Sequence, residues 1–190
     1  MDAGKWTVKQ TKDSVTFTQT LKKGDAAYIY EKTLRLVSGK PQLLIEHRLK
    51  NTGSKSITTT VYDHNFLRLT SGNAGTTVTF PFPLTVATNP PPPDLIRAEG
   101  STLTYLRPMK PKERISFLVT GFGATAVDYD IAIRDTAAGG GVTIHGDQPI
   151  TRLNIFSIDK VQSVEPYIAI DVAPGKEQRW HFTYTFAGKT

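Results

Sequence analysis

The sequence predicts an all-β protein, an antiparallel β-sandwich in which residues 1–190 form a single domain. Three observations carry this expectation. Apolar and polar residues alternate with a period of two in one stretch after another, clusters of Gly, Pro, Asn and Asp separate those stretches, and no segment keeps a helical period over three turns. Alternation sends every second side chain to the same face of an extended strand, so each stretch reads as half-buried. With 190 residues and 38% hydrophobic content the chain can bury a core, and its long, unequal connections favour two packed sheets over a closed barrel.

In chain order, the first strand lies around Trp6–Val8, followed by Val15–Thr18, Tyr28–Leu36 and Leu43–Leu49. The last two are separated by Ser38-Gly39-Lys40-Pro41, a turn by composition. Asn51-Thr52-Gly53-Ser54 makes the next turn, before Thr58–Tyr62 and Val78–Phe80. Asn89 to Asp94 encloses four consecutive prolines, which take polyproline II geometry and cannot pair inside a sheet. That segment is a surface connection; a rigid spacer is the favoured reading over a partner-recognition motif. Arg114–Val119, Tyr129–Arg134, Val142–His145 and Leu153–Ile158 follow, with Gly139-Gly140-Gly141 as a turn between the second and third. A new strand, Tyr167–Val172, is expected to begin after Pro166, and Pro174-Gly175 turns the chain into Arg179–Phe186.

Charge and motifs remove several functions. The chain carries 23 basic and 17 acidic residues, a net charge of +6, yet the basic residues are scattered. Lys22-Lys23 and the Lys110, Lys112, Arg114 group sit beside Gly or Pro, and neither forms the basic run or the aromatic pattern of a nucleic-acid binder, so no nucleic-acid partner is expected. No apolar run approaches the ~18 residues that span a bilayer and the opening residues lack a signal-like apolar stretch, so no membrane partner is expected. The absence of cysteine excludes disulfides and thiolate chemistry and leaves the compartment open. No histidine pair has zinc-ligand spacing, and neither a Gly-x-Ser-x-Gly elbow nor a phosphate-cradling glycine loop occurs. Neither metal nor cofactor is expected, which leaves proton transfer or plain binding.

Four histidines are available for proton transfer. His47 and His181 fall inside alternating strands and His145 stands near a turn. His64 differs, because it ends a Thr-rich strand within Tyr62-Asp63-His64-Asn65-Phe66-Leu67, where aromatics, an amide and a carboxylate crowd together. Far along the chain, Glu165 precedes Pro166, which holds it extended and gives its side chain a defined direction. A site carboxylate and a solvated strand-edge glutamate fit that pattern equally.

Leu44 to Leu69 resembles the central segment of the galactose mutarotase (aldose 1-epimerase) superfamily. There an Asn-Thr-x-x-Lys turn, here Asn51 to Lys55, joins two strands, and the second ends in a His-Phe-Asn-Leu-like motif, here shortened and permuted to His64-Asn65-Phe66-Leu67. Glu165-Pro166-Tyr167, Pro174-Gly175-Lys176 and the aromatic strand Trp180 to Phe186 resemble the closing section of that family. The resemblance runs from about Lys32 onward and has no counterpart of the family's N-terminal portion, which supplies an arginine and another histidine for substrate binding.

This resemblance implies a truncated galactose mutarotase-like supersandwich, a sugar or glycan ligand, and aldose 1-epimerase-like interconversion of sugar anomers. His64 matches the family's general acid and Glu165 its general base; their reference pKa values of ~6.5 and ~4.3 suit those roles near neutrality. Tyr62, Phe66, Tyr167 and Trp180 are either apolar faces for a pyranose or core residues, and Asn65 is either a sugar-hydroxyl partner or a turn former. About 5–6 Å between the two functional groups would let a sugar ring sit between them. The missing N-terminal portion is expected to reflect a fragment, a short homologue or a subunit, and the sheet edges so left open suggest a homodimer. The alternative function is a non-catalytic carbohydrate-binding or structural sandwich.

Overall fold

The computed structural model describes residues 4–69, 73–135, 137 and 139–188. Its strands are β1 (Lys5–Gln10), β2 (Ser14–Lys23), β3 (Ala26–Leu36), β4 (Gln42–Asn51), β5 (Ile57–Val61), β6 (Thr76–Thr79), β7 (Thr85–Thr88) and β8 (Ile96–Glu99). They continue as β9 (Thr102–Tyr105), β10 (Arg114–Thr120), β11 (Asp130–Asp135), β12 (Gly140–Gly146), β13 (Arg152–Ile158), β14 (Val161–Val172) and β15 (Glu177–Ala187). The only helical piece among the described residues is a single 3₁₀ turn, Ala126–Asp128. The protein is therefore all-β, with its strands in two antiparallel sheets, as the alternation requires.

The chain forms two compact units. The first comprises residues 1–60 and 169–185, where β1, β2, β3, β4 and β15 pair in that order. On β4 the alternation places Ile45, His47, Leu49 and Asn51 inward, and Trp180, Phe182 and Tyr184 of β15 are buried with them. His47 lies opposite Trp180 in the register and stacks on it at 5.0 Å, while its Nδ1 meets the Tyr30 hydroxyl at 2.7 Å. Asn51 closes β4. Its amide donates to the carbonyls of Lys55 and Val172, and its Oδ1 accepts from the Gly53 N–H, so the Asn-Thr-Gly turn is pinned by one buried side chain. A Cβ on Gly53 would lie 2.3 Å from the Asp25 carbonyl oxygen, which explains the glycine.

The second unit comprises residues 61–168 with 186–190. One layer has the order β12-β11-β6-β9-β8 and the other the order β14-β13-β10-β7. Val78, Leu103, Ile131, Ile133, Val142 and Ile144 on the first layer, and Ile115, Phe117, Leu153, Ile155, Val164 and Ile168 on the second, are all buried. The Tyr105 hydroxyl of the first layer and Ser157 Oγ of the second hydrogen-bond within that core. Burial drives the Tyr105 phenol up to about 12, so it remains neutral.

Two features differ from the expectations. β7, β8 and β9 are four-residue strands absent from the expected series; β7 and β8 give no clear alternation, whereas β9 alternates, with Leu103 and Tyr105 buried, over too few residues to stand out. The proline run between β7 and β8 is, as expected, a surface connection, with Pro90, Pro92 and Pro93 exposed. No new strand starts after Pro166, because β14 runs unbroken from Val161 to Val172 with Pro166 opposite Leu153. The strand tolerates the proline because the backbone at Tyr167 turns towards β13, where the Thr151 N–H donates to its carbonyl. Successive residues point their backbone groups to opposite sides, so the N–H that Pro166 lacks would face away from β13.

Candidate functional site

The missing donor shapes the neighbouring segment. Leu67 and Gln162 exchange both backbone hydrogen bonds as an isolated antiparallel bridge on the side of β14 away from β13. Extended back along that register, His64 comes beside Glu165 and Tyr62 beside Tyr167. Hydrogen-bonded pairs alternate along an antiparallel ladder, and the rung that would join Asp63 to residue 166 needs the N–H that proline does not have. β5 accordingly stops at Val61, and residues 62–66 pass along β14 outside any regular strand.

The side chains on this outward face meet. His64 Nδ1 and Glu165 Oε1 form an ion-pair contact. Asn154, opposite Glu165 on β13, donates from Nδ2 to Glu165 Oε2 at 2.8 Å, and Ser116 Oγ of β10 donates to Asn154 Oδ1 at 3.2 Å. The Glu165 side chain is only 3% exposed whereas that of His64 is 42% exposed, so the imidazole is the solvent-facing end of the row.

Aromatic rings frame the pair. Tyr62 lies 4.2 Å from Tyr167 and 5.8 Å from the His64 ring, and Phe66 and Phe156 approach His64 edge-on at 4.5 and 5.3 Å. Burial first, then the neighbouring Tyr62 hydroxyl, pushes the Tyr167 phenol up to about 12, so the Tyr167 hydroxyl is a neutral hydrogen-bonding group near pH 7. Arg152 stacks over Tyr167 and Arg114 over Phe156, each with its guanidinium carbon 5.1 Å from the ring centre. Stacking of this kind leaves the N–H edge of a guanidinium available for hydrogen bonding.

Of the residues singled out in the sequence, Tyr62, His64, Glu165 and Tyr167 are thus gathered on one face. Asn65 is half-buried between His64 and Phe66 on the chain and takes no part in the ring row. Trp180 lies apart, buried in the first unit against His47. The expected gap for a sugar ring between imidazole and carboxylate is absent, because the two groups touch. Sequence reasoning missed Asn154, Ser116, Phe156, Arg152 and Arg114. The available signal was the polar alternation Arg152, Asn154 on an otherwise apolar strand, a polar outward face that should have been asked what it faces. Among the described residues no group of three or more His, Asp or Glu gathers as a metal site.

The face carries an imidazole on a carboxylate, flanked by flat rings and by amide, hydroxyl and guanidinium donors. The fold that carries it is the galactose mutarotase-like β-sandwich. A putative aldose 1-epimerase from Escherichia coli K12 matches over 98% of this chain and 69% of its own, with a TM-score of 0.72 at 13% identity. A galactose mutarotase related enzyme from Lactobacillus acidophilus matches over 97% and 72%, with a TM-score of 0.73 at 14% identity. A GalM/aldose epimerase homologue from C. elegans matches over 97% and 69%, with a TM-score of 0.70 at 14% identity. No protein-family model and no curated protein matches the sequence. The likeness is therefore one of fold, spread over almost the whole chain.

Proposed function

We propose that the protein binds a sugar on the face around His64 and Glu165 and interconverts its anomers by general acid–base catalysis, as an aldose 1-epimerase-like isomerase. The observation that carries the reading is the contact between a solvent-facing imidazole and a nearly buried carboxylate in the middle of an aromatic row. Anomer exchange removes the proton of the hydroxyl on carbon 1, breaks the bond from carbon 1 to the ring oxygen and protonates that oxygen; rotation and closure reverse the steps. Both oxygens are bonded to carbon 1, so an acid and a base that lie side by side can serve them along one edge of the ring. His64 is assigned the ring oxygen as general acid and Glu165 the anomeric hydroxyl as general base. Tyr62 and Tyr167 offer ring faces and hydroxyls to the pyranose, and Asn65, next to His64 on the chain, is assigned as a further hydroxyl partner.

Polarimetry on freshly dissolved aldoses tests this. The wild-type chain should speed equilibration, and His64→Asn and Glu165→Gln should each lower that rate by about 10²–10⁴-fold with the melting curve retained. Equilibration at the spontaneous rate across a panel of aldoses overturns it. The deep burial of Glu165 favours one second reading, carbohydrate binding without turnover. Calorimetry separates the two, because binding alone survives both substitutions while no rate enhancement is seen.

Self-association belongs to the same proposal. Among the described residues β1 pairs with β2 alone, every residue of it is exposed, and Trp6 and Val8 stand 53% and 62% exposed on it, an edge suited to a second copy. A mass independent of concentration, at the monomer value, in light scattering argues against this.

A further inference from the structure

The pair at the centre of the site is the end of a longer row, and the hidden part of that row carries its own consequence. Ser116 on β10, Asn154 on β13 and Glu165 on β14 follow one another across adjacent strands of a single sheet, and His64 completes the line. The Glu165 carboxylate can only accept here, so it fixes the amide with its NH₂ towards Oε2; Nδ2 donates there at 2.8 Å and leaves Oε1 for Nδ1 of His64, while Asn154 Oδ1 is turned to Ser116, whose hydroxyl donates to it. An amide rotated by half a turn would set two acceptor oxygens against each other at the carboxylate. Both Asn154 and Glu165 are buried, 8% and 2% exposed, so little water is at hand to replace a lost partner.

We infer that Asn154 is a positioning residue for His64, acting through Glu165, and that Ser116 supports it by satisfying the amide oxygen. Asn154 touches neither the imidazole nor the space in front of it; its task is to hold the carboxylate in the rotamer that presents Oε1 to Nδ1. With the carboxylate so held, Nδ1 is engaged by Oε1 and Nε2 is turned outward, the nitrogen from which a proton passes to the ring oxygen of a ligand. Without the amide, Oε2 is an unsatisfied buried acceptor, the carboxylate turns to find another donor, and the ring loses both its orientation and its tautomer preference. This inference rests on the proposed site for its functional meaning, but its structural content can be read without a substrate.

The experiment is ¹⁵N NMR of the His64 ring in the full chain, at a pH where the imidazole is neutral, with polarimetry beside it. Wild-type protein should show the Nδ1–H tautomer dominant. Asn154→Leu should give a tautomer mixture and lower kcat for anomer exchange by about 10²-fold with KM within a few-fold, the signature of misplacement by ~1 Å. Asn154→Asp is isosteric but brings a second carboxylate to Glu165, so its loss at neutral pH should be recovered as the pH is lowered until the two carboxyls share a proton. Ser116 is exposed, so Ser116→Ala retains the fold and reads the row even where an Asn154 variant does not fold; it should shift the tautomer ratio the same way and cost several-fold in rate. Unchanged tautomer signals in Asn154→Leu, or in Ser116→Ala when that variant must stand in, overturn the inference. Absence of any rate enhancement in wild type overturns the function proposed above, while the tautomer signals still decide the role of Asn154.

Discussion

Two histidines sit on strands or strand extensions among aromatic rings, one in each unit, and their surroundings make them opposites. His47 is 4% exposed, stacked flat on Trp180 with Phe182 at its edge, and its Nδ1 meets a neutral phenol. His64 also has rings around it, but its side chain is 42% exposed and its Nδ1 meets a carboxylate. Ring contacts alone therefore do not distinguish a packing histidine from one proposed to exchange protons. The distinguishing features are an anionic partner on one nitrogen and solvent at the other, which together let the ring carry a proton outward.

The comparison can be broken most severely by exchanging readouts. His64→Asn should abolish anomer exchange with little change in melting temperature, and a folded variant that keeps the wild-type rate would remove the distinction. His47→Ala should do the reverse, lowering stability by about 2–4 kcal/mol through the cavity left beside Trp180, with the rate per folded molecule unchanged; denaturant titration together with polarimetry reads both. The smallest effect is a baseline that involves neither ring stack. Arg107, which bridges Glu113 and Asp94, is the first cause that holds the Glu113 carboxyl down at about 2, followed by the Lys110 backbone N–H. Its folded value lies below the ordinary 4.5, so the contribution is present above that pH and is lost as the pH falls towards about 2. Thermal melts of wild type and Glu113→Gln should converge on acidification, with a small, salt-dependent gap near neutrality because the group is solvated.

The strands with long alternation were legible because period two is a local property: β3, β4, β10, β13 and β15 can be read off their own residues. The short strands β7, β8 and β9 were not, because four residues carry too little pattern, even where they alternate as in β9, and are fixed by their neighbours in the sheet. At the site, His64 and Glu165 were legible as chemical types and through a family resemblance. Their contact was not, since it depends on the register between Leu67 and Gln162, and Asn154 was invisible because its meaning lies in the strand opposite. The continuity of β14 through Pro166 was misjudged for a related reason: a proline ends a strand only when the donor it lacks was needed on both counts, for pairing and for direction.

That proline also acts as a stop in a zipper. By withholding a single amide it keeps the passage from Tyr62 to Phe66 out of the regular ladder, and so leaves the imidazole on a margin instead of within the hem. Replacing it by alanine would supply the absent tooth, and amide hydrogen exchange over residues 62–66 should then slow as the seam closes.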